Sequence, residues 1–328
     1  MQVWHTTKYA MIIGALAVGC ESMPDITPPL PVTSLASSKT PRTNSTNIVA
    51  YVDGLPIYSD HLYGPLVEAS GGQVLSELIL DIRTSKQLKE EGLEVNQSTI
   101  DLEKSLLINT LDPQDENQAI RLLNELKKRR GLGPNRFDRL LQRNAALRLL
   151  VQDRVQVTSA AIRQAFELRY GPRYHARLIL TQTMHEAEQL RRRIEAGENF
   201  SDLAVRHSSD RSAARGGLLP PISASDPTYP QSVRTELLRL HEKKAPVSRI
   251  VDVEGGFVLL KMDHFIEPQK MDYYDVQEDL AATVRLQAEQ VLMQQLAKEL
   301  VSKSKILILD PDLGKSWQWQ KQALMGTP

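Results

Sequence analysis

Tyr174-His175-Ala176-Arg177-Leu178-Ile179-Leu180-Thr181 is the stretch at which the sequence changes period. Ala176, Leu178 and Leu180 alternate with His175, Arg177, Ile179 and Thr181. A repeat of two predicts a strand near the middle of a small sheet. Upstream, the spacing is helical. Val74, Leu75, Leu78, Ile79, Ile82 and Leu88 fall on one helix face, with Gly92 as a stop. A second helical segment runs from about Ser98 to Thr110, and Asp112-Pro113 opens a third, which carries Ile120, Leu122, Leu123 and Leu126. Phe137, Leu140, Leu141 and Leu147 continue the pattern to about Val155, and Thr158 is placed to cap a helix through Ile162 and Tyr170. Ahead of all these, Ile48–Val52 and Leu55-Pro56-Ile57 flank an Asp53-Gly54 turn.

Downstream of the strand, Glu186 to Ala196 is a charged helix stopped by Gly197, and Phe200, Leu203 and Ala204 mark another. A loop from His207 to Pro220 leads to a helix at Leu237, Leu238 and Leu240. Val247–Val253 and Phe257–Met262 are strand-like runs joined by Glu254-Gly255-Gly256. Tyr273–Val301 is a long amphipathic helix. The economical account is an α+β chain, a mostly helical domain enclosing a small β–α–α–α–β–β insert.

Composition narrows the function. The chain has 328 residues, 41% hydrophobic, with 40 basic and 40 acidic side chains. A net charge of zero argues against a nucleic-acid binder, which needs a surplus of Lys and Arg. The single cysteine, Cys20, excludes an internal disulfide and a multi-thiolate metal site. Residues 1–19 end in a short apolar run, Met11 to Gly19, too short to span a bilayer but suited to a signal peptide. Ala17-Val18-Gly19-Cys20 resembles a bacterial lipobox, which would make Cys20 the site of lipidation; an ordinary secretory signal with an incidental Cys is the other reading. Pro24, Pro28, Pro29, Pro31 and Pro41 among many Ser and Thr make residues 20–47 a tether.

Four blocks of the insert carry a resemblance. They are Ala176 to Leu180, Gly197 to Ala204, Ser208 to Gly217, and Val247-Ser248 with Gly256 to Lys261. In this order over residues 173–266 they resemble a parvulin-type prolyl isomerase domain. The flanks, Val52-Asp53-Gly54-Leu55-Pro56-Ile57, Val74 to Ile79 and Gly92 to Val95, are similar to the chaperone region of SurA- and PrsA-type envelope foldases. The resemblance implies a helical chaperone-like domain over 48–172, a parvulin-like domain over 173–266, a long helix over 267–312 completing the helical domain, and a tail over 313–328. It also implies residence in a bacterial cell envelope, lipid-anchored to a membrane and facing the periplasm or exterior.

Position by position, the resemblance places Asp210 at the acidic or thiol position beside the substrate carbonyl. Leu219, Tyr229, Val233 and Leu238 fall where the family lines its proline cup. Leu178 and Val258 stand where the family has two buried histidines. Losing one member of a buried polar pair strands the other, whereas replacing both by apolar groups can be nearly neutral. The domain is therefore expected to keep its fold and its apolar groove while losing the polar network. Asp210 could equally cap the turn that follows it. No cofactor is implied. His185-Glu186 lacks a second histidine at 189, and His175, His207 and His264 lack ligand spacing, so no metal is expected. Lys127 to Arg130 reads as a helix end compensating its dipole, and Trp317 and Trp319 as docking onto the helical domain or touching a membrane interface. Two functions stay open: a membrane-anchored prolyl isomerase acting on X–Pro segments of exported chains, or a catalytically weak holdase or scaffold for unfolded polypeptides.

Overall fold

The computed structural model describes residues 47–325. The expected signal peptide, the lipobox with Cys20 and nearly all of the tether lie outside the described residues. In chain order the elements are β1 (Ile48–Val52), β2 (Leu55–Tyr58), α1 (Ser59–Glu91), α2 (Gln97–Leu111), α3 (Glu116–Arg129), α4 (Pro134–Val151) and α5 (Ser159–Tyr170). Then follow β3 (Arg173–Thr181), α6 (Met184–Glu195), α7 (Phe200–His207), α8 (Gln231–Lys243), β4 (Val251–Val253), β5 (Gly256–Ile266), α9 (Tyr273–Ser302) and α10 (Pro311–Met325). The chain folds as two compact units, one running to Val155 and resuming at Glu289, the other Gln156–Ala288.

In the first unit, β1 and β2 form an antiparallel hairpin whose turn residues Asp53 and Gly54 both have positive φ, 50° and 81°, the geometry that Asp-Gly favours. The hairpin's apolar side chains are largely exposed. Helix α1 starts at Ser59, well before the Val74 that the spacing suggests, and ends at Gly92, whose φ of 68° is a left-handed cap. The glycines that break the apolar pattern explain the difference. A Cβ on Gly72 would lie 2.2 Å from the Ser316 carbonyl oxygen, and the Gly72 N–H donates to Ser316 Oγ at 2.8 Å. Gly72 thus lets α1 and α10 approach backbone to backbone. Residues 313–325, expected as a tail, are helical. Asp310 Oδ1 caps that helix by accepting from the N–H groups of Asp312 and Leu313 at 3.0 and 3.1 Å.

One core of this unit joins Leu80, Leu147, Val151, Leu296, Leu300 and Trp317; a second joins α2, α3 and α4 through Leu107, Leu111, Leu123, Phe137 and Leu141. Trp317 is buried while Trp319 is exposed. Asp112 does not open α3; Asp115 does, accepting from the Gln118 N–H at 2.9 Å. Within this unit the buried side chains of α9 include Glu289, Met293, Leu296, Ala297 and Leu300. Arg148 ion-pairs with the buried Glu103 and Glu289, tying α2, α4 and α9 together.

In the second unit a three-stranded antiparallel sheet, order β3-β5-β4, has apolar side chains on both faces. On one face Ile179 and Leu259 pack against Leu190, Phe200 and Leu203 of α6 and α7. On the other, Ala176, Leu178, Val258 and Leu260 are covered by Val233, Leu237 and Leu240 of α8. β5 is the central strand. β3 meets the loop on its far side through two isolated bridges, Tyr174 to Ile222 and Arg177 to Leu218. Thr158 caps α5 as expected, its Oγ1 accepting from Ala161 N–H at 3.2 Å.

Candidate functional site

The loop between α7 and α8 is fastened along β3 residue by residue. Ser208 Oγ accepts the Leu180 N–H at 3.1 Å, and the Ser209 N–H donates to the Leu180 carbonyl at 2.9 Å. Further on, the Leu178 N–H donates to the Gly217 carbonyl at 2.8 Å and the Leu219 N–H to Ala176 at 3.0 Å. Gly217 has φ 75°, and a Cβ there would sit 2.4 Å from the Leu178 carbonyl oxygen. Only glycine fits that crossing. The Arg177 guanidinium closes the loop, donating to Asp263 Oδ2 at 2.8 Å and to the Gly216 carbonyl at 3.0 Å.

This fastening brings most of the expected site residues together. Leu178, Val233 and Val258 are buried in the cluster under α8, and Leu219 and Tyr229 pack on it as half-buried groups. Leu178 pairs with Leu260 and Leu180 with Val258 across β3 and β5, so both positions that the resemblance assigns to histidine are filled by aliphatic core. Leu238 departs from the expectation. It is 40% exposed and outside the cluster, while its neighbour Leu237 is fully buried within it. The phase of α8, which starts at Gln231, decides which leucine faces in.

Asp210 is half-buried at the start of the loop. Its Oδ1 accepts from the Ser212 N–H at 2.8 Å and from Ser212 Oγ at 2.5 Å, and its carbonyl accepts from the Ala213 N–H at 3.0 Å. The side chain therefore organises the tight turn at Ala213–Arg215. It is also close enough to be felt at the cup. Burial pushes the Tyr229 phenol up, and the carboxylates of Asp226 and Asp210 push it further the same way.

Sequence reasoning missed the anchor beneath the last strands. Val247 to Ile250, expected as strand, lies outside β4. Ser248 replaces ladder pairing, its N–H donating to the Leu260 carbonyl and its Oγ accepting the Leu260 N–H, both at 2.8 Å. The buried Glu236 of α8 holds the same segment, accepting from the Arg249 N–H at 2.7 Å and from the Arg239 and Arg249 guanidinium groups. Burial alone would raise the Glu236 carboxyl; the hydrogen bonds from Arg239 and Arg249 outweigh it and hold the group below its ordinary range. The Val247-Ser248 pair was the signal for the Ser248 half of this anchor.

The histidines lie elsewhere. His175 and His264 are cross-strand partners with rings stacked at 3.9 Å. Burial lowers the His175 pKa and neighbouring His264 lowers it further, against a raising influence from Asp263. His185 Nε2 contacts Gln189, and His207 contacts Arg193. Among the described residues no group of three or more His, Cys, Asp or Glu side chains is placed to hold a metal ion.

Several known proteins are similar to this chain. Residues 179–264 match the sequence model of the Rotamase family, described as a PPIC-type PPIASE domain. The foldase protein PrsA of Bacillus subtilis (strain 168) is 22% identical over 283 residues, spanning 86% of this chain and 89% of that protein. The foldase protein PrsA of Clostridium acetobutylicum is 29% identical over 132 residues, 40% of this chain and 39% of that protein. Among solved structures, the peptidylprolyl isomerase PrsA from Bacillus anthracis aligns with a TM-score of 0.42 at 19% identity, covering 72% of this chain and 100% of that one. The chain carries a parvulin-type rotamase domain and is similar over most of its length to PrsA-type foldases.

Proposed function

We propose that this protein is an extracytoplasmic foldase whose parvulin-type domain receives X–Pro segments of exported, extended polypeptides, without cofactor or metal. The observation that supports the reading is that Leu219 and Tyr229 pack on the apolar cluster under α8, with the Asp210 carboxylate near enough to push the Tyr229 phenol up. Rotation about an X–Pro amide meets a barrier of about 18–20 kcal/mol because it breaks amide resonance. A site can lower that barrier without covalent chemistry by holding the proline ring against apolar groups and favouring the twisted amide. Leu219 and Tyr229 supply the apolar contact, and the Asp210 carboxylate faces the carbonyl side. Lipidation at Cys20, two acyl chains on one residue, would hold the protein firmly at a membrane surface.

A protease-coupled isomerisation assay on an X–Pro peptide tests the catalytic half. Turnover above background, lost in Asp210→Ala, is the expected result; no turnover in the unsubstituted protein would remove the enzyme. A second reading, a holdase without turnover, is favoured by two observations. Leu178 and Val258 put aliphatic side chains at the two positions where the resemblance implies histidines, and Asp210 Oδ1 is already engaged by Ser212. That reading expects suppressed aggregation of a denatured client with no change in isomerisation rate. Labelling with radioactive palmitate, with Cys20→Ser as control, tests the anchor.

A further inference from the structure

Between α9 and α10 the chain is stretched. Two residues past the end of α9, Ser304 folds back on it, its Oγ donating to the Leu300 carbonyl at 2.7 Å and its N–H to the Val301 carbonyl at 3.2 Å. Asp310 starts α10 by capping Asp312 and Leu313. Lys305, Ile306, Leu307, Ile308 and Leu309 between them belong to no strand, and their backbone N–H and C=O groups enter no hydrogen bond among the described residues. The side chains nevertheless alternate as in a strand. Ile306 and Ile308 pack on the core of the first unit, whereas Leu307 and Leu309 are 85% and 86% exposed. Beside them an open groove of about 550 Å³ is lined by Ile306, Ile308, Gly314, Lys315, Trp317 and Lys321.

We infer that residues 305–309 are a strand-addition edge for an extended client segment, a grip separate from the X–Pro cup and resting on the foldase reading. A row of open backbone donors and acceptors is satisfied by another extended backbone, and alternate side chains then enter the adjoining groove. Fixed ends at Ser304 and Asp310 pre-organise the edge, so little ordering is lost on binding. Charge indicates the occupant. Lys305 and Lys321 have no acidic partner among the described residues, which favours an apolar segment with an acidic residue. A second copy docked symmetrically on the same edge would bring like charges together.

The test uses the full chain and a short fluorescent peptide of alternating Val and Thr with one Glu and no Pro. The unsubstituted protein binds it. Leu307→Pro, which removes an N–H that makes no internal bond, weakens binding about tenfold or more while X–Pro turnover is kept. The same peptide N-methylated at alternate residues also binds about tenfold or more weaker to the unsubstituted protein, a comparison that needs no folded variant. Equal affinity of the methylated and plain peptides overturns the inference, as does a dimer that Leu307→Pro dissociates while peptide binding persists. Failure of the foldase reading is seen separately, as absence of both turnover and aggregation suppression in the unsubstituted protein.

Discussion

At Gly217 a single hydrogen atom decides whether the site exists. Gly217→Ala would drive a methyl into the Leu178 carbonyl at a backbone conformation that costs about 1–3 kcal/mol for a side-chain-bearing residue. A lowered denaturation midpoint, together with lost protection of the 208–220 amides in hydrogen exchange, is the expected outcome. Glu236 gives a pH signature. Its folded pKa lies below the ordinary value of 4.5, so its contribution is present above that pH and is lost as pH falls through the folded value. Denaturation midpoints measured on descending pH should drop less steeply below 4.5 for Glu236→Gln than for the unsubstituted protein. At this scale the sequence was informative where a residue's neighbours are local. The expectation for Asp210, Leu219 and Tyr229 rests on the order of motifs around them, and the structure packs Leu219 and Tyr229 on the cluster under α8. Leu238 came out one position off because three leucines at 237, 238 and 240 fit more than one helix phase, and only docking onto the sheet selects Leu237. The Glu236 anchor joins residues on α8 to a segment beyond it, and no local pattern signals such a tie.

Helices α2, α4 and α9 depend on one cation. Arg148 serves two carboxylates, Glu103 and Glu289, each nearly without solvent. Arg148→Ala would take the shared cation away from two buried carboxylates, a loss of about 3–5 kcal/mol. Converting all three residues to apolar side chains of similar volume should recover most of it, since the desolvation cost disappears with the charges. Equilibrium urea unfolding of the single and triple variants measures both. The elements themselves were mostly legible, because α2, α4, α6 and α7 carry apolar residues at helical spacing, with side-chain caps at the starts of α2, α6 and α7 and a proline in the first turn of α4. The first half of α1 and all of α10 were not, and for a shared reason. Gly71 and Gly72 look like breaks until α10 is seen lying against them, and α10 packs its buried Trp317 into a core that only the folded first unit supplies.

On the scale of the whole chain, each unit has its own apolar cores. Gly217→Ala and Arg148→Ala should therefore act on different parts of an unfolding curve. Followed by hydrogen exchange, Gly217→Ala should accelerate opening within 156–288, and Arg148→Ala should accelerate it in the first unit. The nested layout was visible in the sequence as a change of period and back, although the compact unit begins before α5 and takes in the start of α9. That nesting also sets an order of events as the polypeptide is made. Everything needed for the inner unit has emerged by Ala288, while the outer core stays open until Trp317 and Leu324 arrive to meet α1. A ribosome that stops just before Pro311 would release a chain with a finished inner unit and a bare strip on α1 at Gly72. Helix α10 is thus the clasp of the first unit, and its removal should open that unit to proteolysis while the inner unit stays protected.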